Sequence, residues 1–122
     1  MIDVTSKTVV GGIAGTPLLI MSAKTVDETV STVVCPPGNK NHKITLQGSA
    51  ALTGAVQIET ASDPDYTGVW NPLGGGPLDL STLFSAAGEY SLDFSGIMIN
   101  AIRIRITTVV AGGTLSALYT GN

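Results

Sequence analysis

Two pairs of side chains carry the densest chemistry in this chain, Gln57 with Glu59 and Arg103 with Arg105. Each pair is spaced two residues apart, which on a β-strand sends both side chains to one face. Val56-Gln57-Ile58-Glu59 and Ile102-Arg103-Ile104-Arg105-Ile106 share that rhythm with opposite charge. They read as neighbouring central strands, with Glu59 across the ladder from one arginine. A cross-strand pair of this kind contributes roughly 0.2–1 kcal/mol. The functional alternative is that Arg103 and Arg105 reach carboxylates on another subunit, because a guanidinium fork binds a carboxylate bidentately.

The other candidates are weaker. Cys35 is the single cysteine, so no intrachain disulfide can form. It sits between Val34 and Pro36 and reads as a buried thiol. A nucleophile would need a base, and the single histidine, His42, falls in what reads as a polar turn. Asp63 and Asp65 resemble part of a calcium loop. Calcium needs six to eight oxygens, however, and Pro64 intervenes with no third carboxylate nearby. They read as an Asp-Pro turn. Gly74-Gly75-Gly76 lacks the Gly-Lys-Ser/Thr ending of a phosphate loop and runs into Pro77. Glu89 and Asp93 flank Tyr90, but an exposed strand face does not build the enclosed pocket that a glycosidase acid requires. Tyr66 and Trp70 could stack on a sugar, although Trp70 on a short strand reads first as core. No catalytic, cofactor-binding or metal-ligating residue is expected.

Composition points away from several partners. Of 122 residues only 12% are charged, and the formal net charge is −3. Ordinary soluble domains carry about 25% charged residues. No cluster of lysine and arginine exists to track a phosphate backbone, so nucleic acid is not expected as a partner. Mean hydropathy is positive. Yet the apolar runs are short, such as Leu18-Leu19-Ile20-Met21, against the roughly 20 residues that a membrane helix needs. Neither a membrane nor a cleaved leader is expected: Asp3 precedes Lys7, and Gly11, Gly12, Gly15 and Pro17 interrupt the apolar stretch. Serine, threonine, glycine and alanine replace charge on the exterior. Such a surface suits faces covered by other subunits. The single cysteine fits assembly in a reducing cytoplasm.

The elements follow from period-two alternation and turn residues. Residues 1–15 read as an extended N-terminal arm or edge strand, with Ile2, Val4, Val9 and Val10 as candidate contacts to a neighbouring subunit. Residues 16–122 read as a single β-sandwich domain. Leu18–Val26 and Thr29–Cys35 are expected to form a hairpin with Asp27 and Glu28 at its tip. Lys43–Ala51, Ala55–Ala61 and Val69–Leu73 are the next strands. The glycine run with Pro77 is expected to break regular structure. Leu78–Ala87, with Leu80, Leu83 and Phe84 at helix-like spacing, reads as one helical turn or an irregular crossover. Tyr90–Phe94, Ile97–Val110 and Thr114–Thr120 complete the set, the last two joined by a hairpin turn at Ala111-Gly112-Gly113. About eight short strands with turn signals every ten residues predict an all-β, antiparallel sandwich. The long crossover near Gly74–Gly88 favours a jelly-roll-like arrangement.

The order Ala55-Val56-Gln57-Ile58-Glu59, Gly68-Val69-Trp70-Asn71-Pro72-Leu73, Ala101-Ile102-Arg103-Ile104-Arg105-Ile106 and Gly112-Gly113-Thr114-Leu115 resembles small β-sandwich structural proteins of tailed bacteriophages. The likeness spans Ala55 to Gly121, and bacterial sugar-binding sandwich modules share parts of it. It implies a non-enzymatic virion protein, a head decoration or cement protein bound to the major capsid protein as a homotrimer. It also implies location in the virion, after assembly in the host cytoplasm. The alternative it leaves open is a tail, baseplate or fibre component, with Tyr66 and Trp70 as glycan contacts. No functional residue carries over, because that family has no catalytic motif.

Overall fold

Alternation in the sequence becomes two packed sheets in the computed structural model. It describes residues 7–9, 17–31, 33–35, 41–61, 70–96 and 101–121, with backbone alone for 7–9, 33–35 and 75. The described strands are β1 (Lys7–Val9), β2 (Leu18–Lys24), β3 (Val33–Cys35), β4 (His42–Gly48), β5 (Thr53–Ala61), β6 (Asn71–Asp79), β7 (Gly88–Phe94), β8 (Ala101–Ala111) and β9 (Leu115–Gly121). One sheet has the order β1-β3-β8-β5-β6 and the other β2-β9-β4-β7. Every pairing is antiparallel except the parallel contact of β1 with β3.

Setting β1 aside, the eight strands from β2 to β9 place first, eighth, third and sixth in one sheet. Second, seventh, fourth and fifth make the other. That is the wrapping of a jelly roll. Among consecutive strands only β5 and β6 lie side by side. The chain therefore crosses between sheets at nearly every turn. This corrects two expectations: β2 and β3 are no hairpin, and β8 and β9, on either side of Ala111-Gly112-Gly113, belong to different sheets. A local turn pattern marks a reversal without saying whether the chain also climbs the ~10 Å between sheets.

The core is made by one parity of each central strand. Ile44 and Leu46 of β4, Val56 and Ile58 of β5, Ile102, Ile104 and Ile106 of β8, and Leu115, Ala117 and Tyr119 of β9 are all buried. One turn of helix, α1 (Leu80–Leu83), closes an end of the sandwich with Leu80 and Phe84 inside. Its N-cap is Asp79, whose carboxylate accepts from the Ser81 amide at 3.0 Å.

The glycine-proline run does not end β6, contrary to expectation. Val56 pairs with Leu78 and Ile58 with Leu73, so the four residues from Gly74 to Pro77 bulge out opposite Gln57 alone. Gly74 and Gly76 take positive φ there. The strand survives because it is the sheet's edge, where proline's missing donor costs nothing.

Gly112 makes one crossing possible. Its φ is +93°, and a Cβ at this position would strike the Ala51 carbonyl oxygen. Gly112→Ala should therefore cost about 1–3 kcal/mol. The measure is a lower urea midpoint with an unchanged slope; an unmoved midpoint would contradict the crossing geometry.

Candidate functional site

The pairing of β5 with β8 sets Gln57 opposite Arg105, Ile58 opposite Ile104 and Glu59 opposite Arg103. The expected neighbouring strands are thus present, in the register that puts unlike charges together. The isoleucines turn inward, so Gln57, Glu59, Arg103 and Arg105 share the outer face of the five-stranded sheet.

Glu59 is the hub, with a side chain only 3% exposed. Arg103 Nε donates to its Oε1 at 2.9 Å, and Arg105 Nε donates to Oε2 at 3.1 Å. Gln57 Nε2 donates to the same Oε2 at 2.7 Å. The Arg103 guanidinium lies 4.1 Å from the ring centroid of Trp70, a cation–π stack. Arg105 Nη1 reaches a second carboxylate, Glu28, at 2.9 and 3.1 Å. The hydrogen bond to Glu59 is the largest influence on the Arg105 guanidinium; burial opposes it next, and the charges of Glu59 and Glu28 then add to it, so its pKa stands above the ordinary value. A base with a raised pKa stabilises the fold below its ordinary titration range. The Arg105 contribution is therefore complete at neutral pH and is lost only in strong alkali.

The two oxygens of the Glu59 carboxylate accept three donors, from two cations and an amide. The cluster works as a clamp: it ties β5 to β8, the start of β6 through Trp70, and the 25–31 segment through Glu28.

That segment runs beside β8. Val110 N–H donates to the Thr25 carbonyl, Glu28 N–H to Ile106 and Ser31 N–H to Ile104, at 2.8, 2.7 and 2.8 Å. Val30 bridges to Arg105. The Ser31 hydroxyl accepts from the buried Ile104 amide at 2.8 Å. Glu28 takes φ +63°, a left-handed conformation that is costly for a residue with a Cβ. Its backbone bond to Ile106 and its ion pair with Arg105 hold it there. Sequence reasoning placed Glu28 at a hairpin tip and missed this role, because no local pattern tells which strand a turn will fold against.

His42 is the clearest correction. It opens β4 rather than sitting in a turn, and it is buried. Its Nδ1 and the Tyr119 hydroxyl share a 2.6 Å hydrogen bond. The signal was present: His42, Ile44 and Leu46 have one parity, as do Leu115, Ala117 and Tyr119. Near them Asn41, Lys43, Asp93, Ser95 and Thr120 line an open depression of about 200 Å³.

Ile2, Val4, Val10, Asp63, Asp65 and Tyr66 lie outside the described residues, and Val9 and Cys35 are described by backbone alone. Lys7–Val9 of the expected arm form the edge strand β1. Among the described residues no group of three or more His, Cys, Asp or Glu could hold a metal ion, and no helix is long and apolar enough to cross a membrane.

Fold and site together define a jelly-roll β-sandwich with a closed ionic clamp on one outer face. Compared with protein-family models the chain matches none, and no curated protein matches it in sequence.

Proposed function

We propose that this chain is a non-enzymatic structural protein of a tailed-phage particle, a head decoration or cement protein. It binds the major capsid protein as a homotrimer. The observation that carries this reading is a pair of valines left in water. Val26 is 63% and Val109 51% exposed, and the bond from Val110 N–H to the Thr25 carbonyl joins the segments that carry them. Valines left in water beside charges already satisfied within the chain suit a contact surface. The phage resemblance of the central strands supplies the partner. The glycan-binding alternative is less favoured, because Arg103 covers one face of Trp70.

An antibody to the chain should label purified virions at regular positions on the head. The purified protein should co-sediment with empty capsid shells. Val26→Asp with Val109→Asp should weaken that binding roughly tenfold or more. Absence from particles, or labelling confined to the tail, would overturn the proposal.

A further inference from the structure

The four sheet edges are not built alike. The five-stranded sheet ends at β1 and β6, the four-stranded sheet at β2 and β7. A free edge presents a row of unpaired N–H and C=O groups, and proteins ordinarily guard it with a short strand, lysine, proline or a bulge. β1 is three residues long and carries Lys7. β6 carries Pro72, Pro77 and its glycine-proline bulge. β2 is bulged on either side of Met21, with Ala23 left-handed, and ends on Lys24. β7 has none of these guards. It pairs with β4 residue for residue from Gly88 to Phe94.

This edge is open to solvent. Gly88, Glu89, Tyr90 and Ser91 are exposed in a row, Tyr90 at 39%. Register sorts the side chains of β7 by face. Tyr90, Leu92 and Phe94 lie opposite Leu46, Ile44 and His42, the buried parity of β4. Glu89, Ser91 and Asp93 lie opposite Gln47, Thr45 and Lys43 on the outer face. Leu92 and Phe94 pack, partly buried, against the core. The inner parity thus leaves Tyr90 in water at the rim, and the outer parity carries two carboxylates.

Those charges decide what can be added. A second copy laid antiparallel in full overlap, centred on Ser91, would set Glu89 against Asp93 twice, and like charges directly opposite are destabilising. A strand with cations at the same two positions is attracted instead. Glu89 is the stronger anchor, since its neighbour on β4 is Gln47, whereas Asp93 stands beside Lys43.

We propose that β7 is a docking edge for an extended, basic segment of a partner protein, which adds to the four-stranded sheet as a further strand. In this mode backbone hydrogen bonds supply affinity and alternate side chains supply specificity. The segment reads basic, apolar, polar, apolar, basic. Its cations face Asp93 and Glu89, its apolar residues lie beside Leu92 and Tyr90, and its polar residue faces Ser91. The surface belongs to the other sheet from Val109 and does not depend on capsid binding.

The probe is a synthetic β-hairpin whose outer strand reads lysine, valine, threonine, valine, lysine; closing the hairpin holds that strand extended before it binds. Fluorescence anisotropy with the purified full chain should show binding. Exchange of both lysines for glutamate should weaken it roughly tenfold or more. Tyr90→Ser should weaken it similarly, with the sheet intact by circular dichroism. Glu89→Lys and Asp93→Lys together should reverse the preference, so that the glutamate hairpin binds better than the lysine one. Hydrogen exchange of the unaltered protein should slow in Gly88–Phe94 when the lysine hairpin is added. N-methylation of the amides on the hairpin's outer edge should abolish both binding and protection. Absence of binding, equal binding of the two hairpins, or an unreversed preference in the folded double variant would overturn the proposal. So would protection confined to other strands, or binding that survives N-methylation. Slow exchange of β7 in the free protein, deepening with protein concentration, would also overturn it, because a second copy would then occupy the edge.

Discussion

Glu59→Ala should destabilise the fold by about 3–5 kcal/mol, the usual result of removing one partner from a buried ion pair. The loss goes beyond the two bonds at 2.9 and 3.1 Å. It leaves two guanidiniums facing each other on adjacent positions of β8, with Gln57 without its acceptor. Glu28 cannot compensate, since it lies on Arg105 alone and is 69% exposed. Glu28→Ala should accordingly cost no more than about 1 kcal/mol, as exposed pairs do. Urea denaturation of both variants checks the contrast. Equal effects would mean that the clamp is not centred on Glu59. A chain in which Glu59, Arg103 and Arg105 are all replaced by apolar residues of similar volume should recover much of the loss, because the desolvation cost of the charges disappears with them.

Ile104→Ala is the second large effect, about 2–5 kcal/mol. Ile104 is fully buried, lies opposite Ile58 in the centre of the ladder, and belongs to the one contiguous core. Neighbouring strands hydrogen-bonded on both sides leave the backbone little room to collapse into the vacated volume. Ile104→Val should cost about 0.5–1.5 kcal/mol. Val109→Ala, on the same strand but of the other parity and half in water, should cost far less. A thermal or urea series over these three substitutions reads the parity directly. Comparable losses at Ile104 and Val109 would mean that β8 is not divided into an inner and an outer face.

Much of this molecule was written locally. Period-two runs of isoleucine and valine, with a polar residue at each alternate position, dictate strands with one buried face. The match between Gln57-Glu59 and Arg103-Arg105 was enough to pair β5 with β8. In that register Glu59 faces Arg103 and the isoleucines face the core, and a slip of one residue would reverse both. Leu80, Leu83 and Phe84 left a helical turn and an irregular crossover both open, and the turn is what forms. Asp79 ahead of them supplied its cap.

What the chain could not state locally was which sheet each strand would join. Turn residues fix a reversal, but the choice between a neighbour in the same sheet and one across the core depends on closing two hydrophobic faces together. That energy exists only once all the strands are in place. Hence β2 and β3 separated, β8 and β9 separated, and β6 kept its ladder through a glycine-proline bulge because it landed at an edge. For the same reason Glu28 found Arg105, Trp70 covered Arg103, and His42 met Tyr119 from 77 residues away. Strand identity and face were set by side-chain alternation; partner, layer and the closed clamp were set by packing over long sequence separations.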